Sequence, residues 1–277
     1  MDVIHSVADL RKRLGAERSV ALVPTMGNLH AGHLSLVEIA KRRGRCLVAS
    51  IFVNRLQFEP GGDFEKYPRT LERDCGMLEE SGCHVVFAPD EKEMYPKPQE
   101  IKVTPPRVAA TLEGQFRPGH FEGVTTVVAK LFNVVAPHVA VFGKKDYQQL
   151  LVLRELERQL EFGIEIVAGE TVREPDGLAM SSRNAYLTPG ERAKAPKLHQ
   201  ELRAICERVT AGSHRLQRLD ELATANLTMA GWNVDYVAIR RRSDLAEPHP
   251  HDRGLVVLGA AWLGKTRLID NLEIDAP

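Results

Sequence analysis

Two histidines, His30 and His33, fall three residues apart in the run Pro24-Thr25-Met26-Gly27-Asn28-Leu29-His30-Ala31-Gly32-His33. An apolar, strand-like stretch, Val20-Ala21-Leu22-Val23, precedes the run, and a helix-like one, Leu34 to Lys41, follows it. The order is therefore strand, glycine-containing turn, helix N-terminus. Backbone N–H groups at a helix start have no intrahelical partner and suit an anion, above all a phosphate. Gly27 and Gly32 carry no Cβ, so the backbone can approach a bound nucleotide closely. His30 and His33 can donate hydrogen bonds to phosphoryl oxygens as negative charge develops. On spacing alone, a strand–turn–helix with two surface histidines and no ligand is equally compatible.

Further along, Lys145 in Gly143-Lys144-Lys145-Asp146 follows a second strand-like run, where a compact charge on a flexible stem can reach phosphate. Gln57 and Gln149 carry neutral amides that can donate to a carboxylate or hydroxyl without neutralising it, which suits an acid that must remain a nucleophile. Met180-Ser181-Ser182-Arg183 offers two hydroxyls and a guanidinium, a set able to hold the β- and γ-phosphates and a departing pyrophosphate.

The two-histidine segment resembles the H-x-G-H signature of the α/β nucleotidyltransferases, related to the HIGH signature of class I aminoacyl-tRNA synthetases. In its longer form it is similar to one family among them, the pantothenate synthetases (pantoate–β-alanine ligases). Other blocks agree, in the family's order. They are Ser50-Ile51-Phe52-Val53-Asn54 with Gln57-Phe58, Tyr67-Pro68-Arg69-Thr70, Arg117-Pro118-Gly119-His120-Phe121, Phe142-Gly143-x-Lys145-Asp146-Tyr147-Gln148-Gln149 and Met180-Ser181-Ser182-Arg183-Asn184. The resemblance runs from about Val20 to Leu187 and continues more weakly to the C-terminus.

The resemblance implies that ATP is held by Met26, Gly27, His30, Gly32, His33, Gly143, Lys145, Asp146, Val172, Met180, Ser181, Ser182 and Arg183. It implies His33, His30 and Lys145 as catalytic groups, and Gln57, Gln149, Asn54 and Met26 as the pocket for pantoate and β-alanine. Arg117 and His120 are weaker candidates, and 63–69 is expected as a loop over the pocket. It further implies Mg²⁺ brought with ATP, with no protein ligand to the metal assigned, and a homodimer. The expected reaction joins (R)-pantoate to β-alanine through a pantoyl adenylate, releasing AMP and pyrophosphate. Two departures stand out: Lys144 where the family usually has glutamate, and Arg55-Leu56 where it usually has Pro-Met. Leucine keeps methionine's volume, whereas arginine for proline removes a φ constraint and adds charge at the pocket rim. The rival readings are a nucleotidyltransferase acting on another small acid or a phosphorylated cosubstrate, and a non-catalytic nucleotide-binding regulator. The presence of both histidines, Lys145 and the Ser-Ser-Arg run argues against decay into a regulator.

Composition sets the outer limits. Among 277 residues, 37 lysines and arginines balance 37 aspartates and glutamates. No excess positive charge is available to drive nucleic-acid binding by counterion release, so no nucleic-acid partner is expected. The Met1-Asp2-Val3-Ile4-His5 start has no basic residues followed by an apolar run, and no stretch approaches a transmembrane span. Cys46, Cys75, Cys83 and Cys206 form no C-x-x-C pair and are expected as reduced, buried thiols of a cytoplasmic enzyme.

What positions these groups is legible in the alternation of patterns. Strand candidates at 20–24, 46–53, 84–88, 139–142 and 164–168 alternate with helix candidates at 34–43, 70–81, 124–135 and 147–162. That predicts an α/β, Rossmann-like parallel sheet with helices on both faces. Each chemical block follows a strand, at the carboxyl edge where such sheets bind ligands. Beyond Thr188 the pattern changes to one helix from Pro189 to about Val209, a second over 216–230, and antiparallel strands at 234–240, 255–262 and 266–271. The expected organisation is a nucleotide- and pantoate-binding domain over 1–170 and a smaller C-terminal α+β domain over 171–277, which carries Met180–Arg183. Arg240-Arg241-Arg242 is expected as a solvated charge run.

Overall fold

A computed structural model describes residues 1–59, 61–62, 64–213 and 215–277. The chain forms two compact units: Met1–Lys144 with Val152–Glu170, and Lys145–Leu151 with Thr171–Pro277.

The first unit contains β1 (Asp2–Ile4), α1 (Val7–Leu14), β2 (Val20–Thr25), α2 (Ala31–Lys41), β3 (Cys46–Ile51), α3 (Leu71–Glu80), β4 (Val85–Phe87), α4 (Glu91–Met94), α5 (Glu113–Phe116), α6 (His120–Val135), β5 (Val139–Gly143) and β6 (Glu165–Gly169). Its six strands are parallel, in the order β1-β4-β3-β2-β5-β6. Successive side chains alternate between faces. Ala21, Val23, Leu47, Ala49, Val86, Val139 and Val141 therefore share one face, where they pack with Leu36, Val37 and Ala40 of α2 and Leu78 of α3. Phe142 belongs to the alternate set and meets Phe132 of α6, ring to ring at 6.5 Å. The sheet is covered on both faces, which is why its strands are almost continuously apolar. The strand order reverses direction between β2 and β5. That is the switch point at whose carboxyl edge open α/β sheets place their ligands.

The second unit holds α8 (Pro189–Lys194), α9 (Lys197–Thr210), α10 (Leu216–Met229), β7 (Asn233–Arg241), β8 (Gly254–Leu263) and β9 (Thr266–Asp275). The strands form an antiparallel meander, β7-β8-β9. Leu198, Leu202, Ile205 and Val209 of α9 build its core with Val257, Ala261, Leu268 and Ile274 of the sheet. A further helix, α7 (Tyr147–Leu160), contributes its first turn to this unit and its remainder to the other.

Three expectations change. The single helix expected over 189–209 is two, because Pro196 cannot donate to the preceding turn and its ring crowds that turn's carbonyl. The edge strand β1 was not anticipated, being only three residues long. The arginine run at 240–242 is engaged rather than merely solvated: Arg240 donates to the Ile239 carbonyl, Arg241 pairs with Asp244, and Arg242 with Asp275.

Candidate active site

The loop between β2 and α2 is fixed from beneath. Gly27 and Asn28 both adopt left-handed backbone, φ 80° and 52°. A Cβ on Gly27 would meet Asp74 Oδ2 at 3.0 Å, so only glycine fits without a shift. Asp74 of α3 is completely buried, and its carboxylate accepts from the N–H of Asn28 (2.8 Å), the N–H of Leu29 (2.9 Å) and the Thr70 hydroxyl (3.0 Å). This residue was missed at the sequence level. Its signal is a carboxylate four residues before the buried Leu78, on the face that helical spacing reserves for apolar side chains.

His30 caps α2. Its Nδ1 accepts from the Gly32 N–H (3.1 Å), while His33 Nδ1 accepts from the His30 N–H (3.4 Å). A ring whose Nδ1 accepts must carry its proton on Nε2 when neutral. Both imidazoles are thus set as Nε2–H donors at a helix N-terminus, where the dipole favours negative charge.

After β3 comes a 3₁₀ turn, Arg55–Gln57, preceded by Asn54. The Asn54 amide is buried and has partners on both sides. Its Nδ2 donates to Gln57 Oε1 (3.1 Å) and the Gly123 carbonyl (3.1 Å), and its Oδ1 accepts from the Tyr95 hydroxyl (2.8 Å). Asn54 therefore orients Gln57. Gln57 Nε2 in turn contacts Met26 Sδ at 3.0 Å, which brings together two of the residues expected around the acid. Gly123 permits this packing, since a Cβ there would lie 2.6 Å from the Gln57 nitrogen. His120 is buried, its Nδ1 2.9 Å from the Gln57 carbonyl and its Nε2 3.2 Å from Arg117. In the segment over 63–69, Asp63 lies outside the described residues, while Phe64 and Tyr67 are buried.

Both departures have partners. Lys144 pairs with Glu170 (2.6 Å). Arg55, half exposed, reaches Glu91 (3.0 Å) and Glu65 (3.2 Å) and lies over the Phe64 ring at 3.9 Å. Gly143 ends β5.

In the second unit, Lys145 and Asp146 complete the 3₁₀ turn that opens α7, with Lys145 Nζ 3.9 Å from Asp146 Oδ2. Gln149 lies in the first turn of α7. Residues 172–180 form a small hairpin around Glu174-Pro175-Asp176-Gly177. Gly177 donates to Glu174 O (2.9 Å), Glu174 to Leu178 O (2.8 Å) and Met180 to Val172 O (3.0 Å). The hairpin leads straight into Ser181, whose hydroxyl caps the 3₁₀ segment Ser182–Tyr186. Arg173, at the hairpin's foot, makes a bidentate pair with Asp270 of β9 (2.7 and 2.9 Å). Burial opposes ionisation of Asp270, but hydrogen bonds from His199 and Arg173 outweigh it and hold the carboxyl below its usual range.

Among the described residues, no group of three or more His, Cys, Asp and Glu side chains is arranged to hold a metal ion. The four cysteines are unpaired; Cys46 and Cys83 are buried, Cys75 and Cys206 only partly so. Burial pushes the thiols of Cys83 and Cys206 up to about 11, far from nucleophilic at neutral pH. No helix among the described residues is long and apolar enough to cross a membrane.

Fold and loop chemistry together define an α/β enzyme of the ATP-using kind. The chain belongs to the pantoate–β-alanine ligase family, whose model matches residues 2–273. It is 58% identical over 274 residues to a pantothenate synthetase of Nitrosospira multiformis, covering 99% of this chain and 98% of that one. It is 59% identical to the pantothenate synthetase of Thiobacillus denitrificans, covering 100% and 98%. A crystal structure of pantothenate synthetase from Thermus thermophilus superposes with TM-score 0.93 at 45% identity, covering 98% of this chain and 99% of that one. A pantoate–β-alanine ligase from Francisella tularensis, solved in complex with β-γ ATP and β-alanine, superposes with TM-score 0.84 at 31% identity, covering 98% and 97%. The activity is the ATP-dependent condensation of pantoate with β-alanine to pantothenate.

Proposed function

We propose that this chain activates pantoate as an acyl adenylate. The pantoate carboxylate attacks the α-phosphorus of ATP and pyrophosphate leaves. The β-alanine amine then attacks the adenylate carbonyl, and AMP departs as pantothenate forms. The observation that carries this reading is the pair of Nε2–H imidazoles preset at the start of α2. They are donors fixed before the reaction, so they stabilise developing phosphoryl charge without reorganisation.

His33 donates at the phosphates, with His30 supporting it. Lys145 supplies charge, and Ser181, Ser182 and Arg183 hold the β- and γ-phosphates. The main chain of Met26, Gly27, Gly32, Gly143 and Val172, with Asp146 and Met180, holds the nucleotide. Gln57, Gln149, Asn54 and Met26 receive the hydroxy acid, Asn54 also orienting Gln57. Nucleotide phosphate oxygens are the hard ligands Mg²⁺ prefers, so the ion would arrive on ATP and neutralise charge on the departing pyrophosphate. The Francisella complex supports ATP and β-alanine as ligands of this fold. We place the enzyme in the cytoplasm, where unpaired thiols persist, and expect a homodimer, which sedimentation would test.

Isotope exchange tests the chemistry. Labelled pyrophosphate should enter ATP when pantoate and Mg²⁺ are present and β-alanine is absent. Adding β-alanine should convert exchange into net AMP and pantothenate. Release of ADP, or exchange indifferent to pantoate across a panel of small hydroxy acids, would overturn the reading.

A further inference from the structure

Within the second unit, two neighbouring residues of β9 grip two separate segments. Asp270 takes Arg173 in a two-pronged pair (2.7 and 2.9 Å), and Arg173 also donates to the Asn271 carbonyl (3.2 Å). His199 of α9 joins the same carboxylate at 3.2 Å. Asn271 Nδ2 donates to the Lys145 carbonyl at 2.9 Å. Consecutive strand residues point to opposite faces, so one dipeptide serves both sides of the sheet. Leu268, Asp270 and Ile274 share the face packed against α9, with Leu272 partly buried among them. Asn271 and Glu273 share the other, where Glu273 accepts from the Tyr147 hydroxyl (2.9 Å). Residues 145 and 147 are thereby tied to one face of β9, and the foot of the 172–180 hairpin to the other.

A buried ion pair is poor stability engineering. Apolar residues of similar volume often do as well or better, because desolvation offsets the Coulombic gain. Asp270 stands where the alternation of Leu268, Leu272 and Ile274 calls for another aliphatic side chain. What an aliphatic residue could not supply is the planar, two-pronged geometry that fixes an arginine's direction. Asn271 is likewise almost fully buried.

We propose that Asp270 and Asn271 are positioning residues for ATP. They set the spacing between Lys145 and the Met180–Arg183 loop, and so govern phosphate binding without touching the nucleotide. The inference rests on the adenylation reading above, in which Lys145 and Ser181–Arg183 hold phosphates. Both ties end on segments that carry phosphate-binding groups, Lys145 and the Met180–Arg183 loop, while Gln149 lies further along α7, so the effect should fall more on ATP than on pantoate.

Four variants test it by ATP-binding calorimetry, pantoate-dependent pyrophosphate exchange and thermal melting. Asn271→Ala removes one tie. The double variant Arg173→Met/Asp270→Leu removes the other without leaving a buried charge alone. Tyr147→Phe is compared with Glu273→Gln, which keeps an acceptor for the tyrosine. The expected result is an ATP KM raised about tenfold or more in the first two, as for supporting-shell substitutions elsewhere. Their pantoate KM should stay within about twofold and their melting near the parent's, and Glu273→Gln should outperform Tyr147→Phe in ATP affinity. Unchanged ATP affinity in the folded variants would overturn the proposal. So would equal losses for both substrates, which mark a general structural role. If the parent protein itself shows no pantoate-dependent exchange, the adenylation reading fails instead, and the two failures are told apart.

Discussion

The rings of His30 and His33 lie with centroids 4.1 Å apart and planes tilted by 42°, and His33 Nδ1 accepts the His30 backbone N–H. The first histidine caps the helix and the second closes the cap, so neither ring can turn without breaking a bond at the start of α2. His33→Ala should lower pyrophosphate exchange by about 10²–10³-fold, the cost of one preorganised donor. Imidazole ¹⁵N shifts should report the proton on Nε2 in both rings. An Nδ1–H tautomer in His33 would contradict the assignment.

Asp74 offers a second measurement. Replacing it by alanine strands two backbone N–H groups and a hydroxyl beneath the loop. At about 1–3 kcal/mol for a buried polar group left unpaired, urea titration should show a loss of roughly 2–4 kcal/mol. Exchange should fall further than stability alone explains, because the loop that aims His30 is no longer held.

The two adjacent lysines separate cleanly. Lys145→Ala should reduce adenylation by about 10²–10³-fold. Lys144→Ala breaks a pair with Glu170, which is itself largely exposed, and should cost little activity. The opposite ranking in steady-state kinetics would show that the wrong lysine had been chosen.

Arg55-Leu56 is expected to tune rather than disable. Arg55 is the first residue of its 3₁₀ turn, a position proline accepts, and its ion pairs are at the surface. Exchange of the pair for Pro-Met should keep the same products and shift substrate KM more than kcat. A gain from no activity to full activity would show that the native pair is disabling.

Stability should depend on pH through Asp220 of α10. Burial pushes its carboxyl up to about 7, although it accepts the Ile239 N–H and Arg240 is near. The folded chain therefore binds this proton between about pH 4 and 7 when the unfolded chain does not, so the group's contribution falls as pH rises through that window. Asp220→Asn should raise unfolding free energy at pH 8 by about 2–4 kcal/mol, at roughly 1.4 kcal/mol per pKa unit, and much less at pH 4. Equal effects at both pH values would rule out this origin.

Local chemistry was the legible part of this molecule. Gly27, His30 and His33 announce themselves because a helix start, a tight turn and a phosphate each demand particular residue types over a short span. The six parallel strands are likewise visible as apolar runs, save β1, whose three residues are too few to carry a period. Residues whose partners are remote in sequence stayed hidden. Asp74 looks like one more acid in the first turn of a helix until Asn28 and Leu29 fold over it. Asn54 is expected beside the acid, but its bonds to Gln57, Gly123 and Tyr95 are invisible in the sequence, since two of those partners lie 41 and 69 residues away. Asp270 pairs with an arginine 97 residues earlier, a distance over which no periodicity speaks.

That separation also sets a timetable. During synthesis Lys145 precedes Asn271 by 126 residues, and Arg173 precedes Asp270 by 97. At about 5–20 residues per second, the ribosome takes roughly 5–25 s to cover that interval. For that time a nascent chain carries its lysine and its hairpin without the ties that β9 supplies. ATP stabilises a chain in proportion to how well it binds, so on the positioning role proposed for Asp270 and Asn271 the nucleotide would be a weaker folding aid until β9 has emerged. A chain halted before β9 would gain less protection from the nucleotide against chaperones and proteases, however well its parallel sheet had formed.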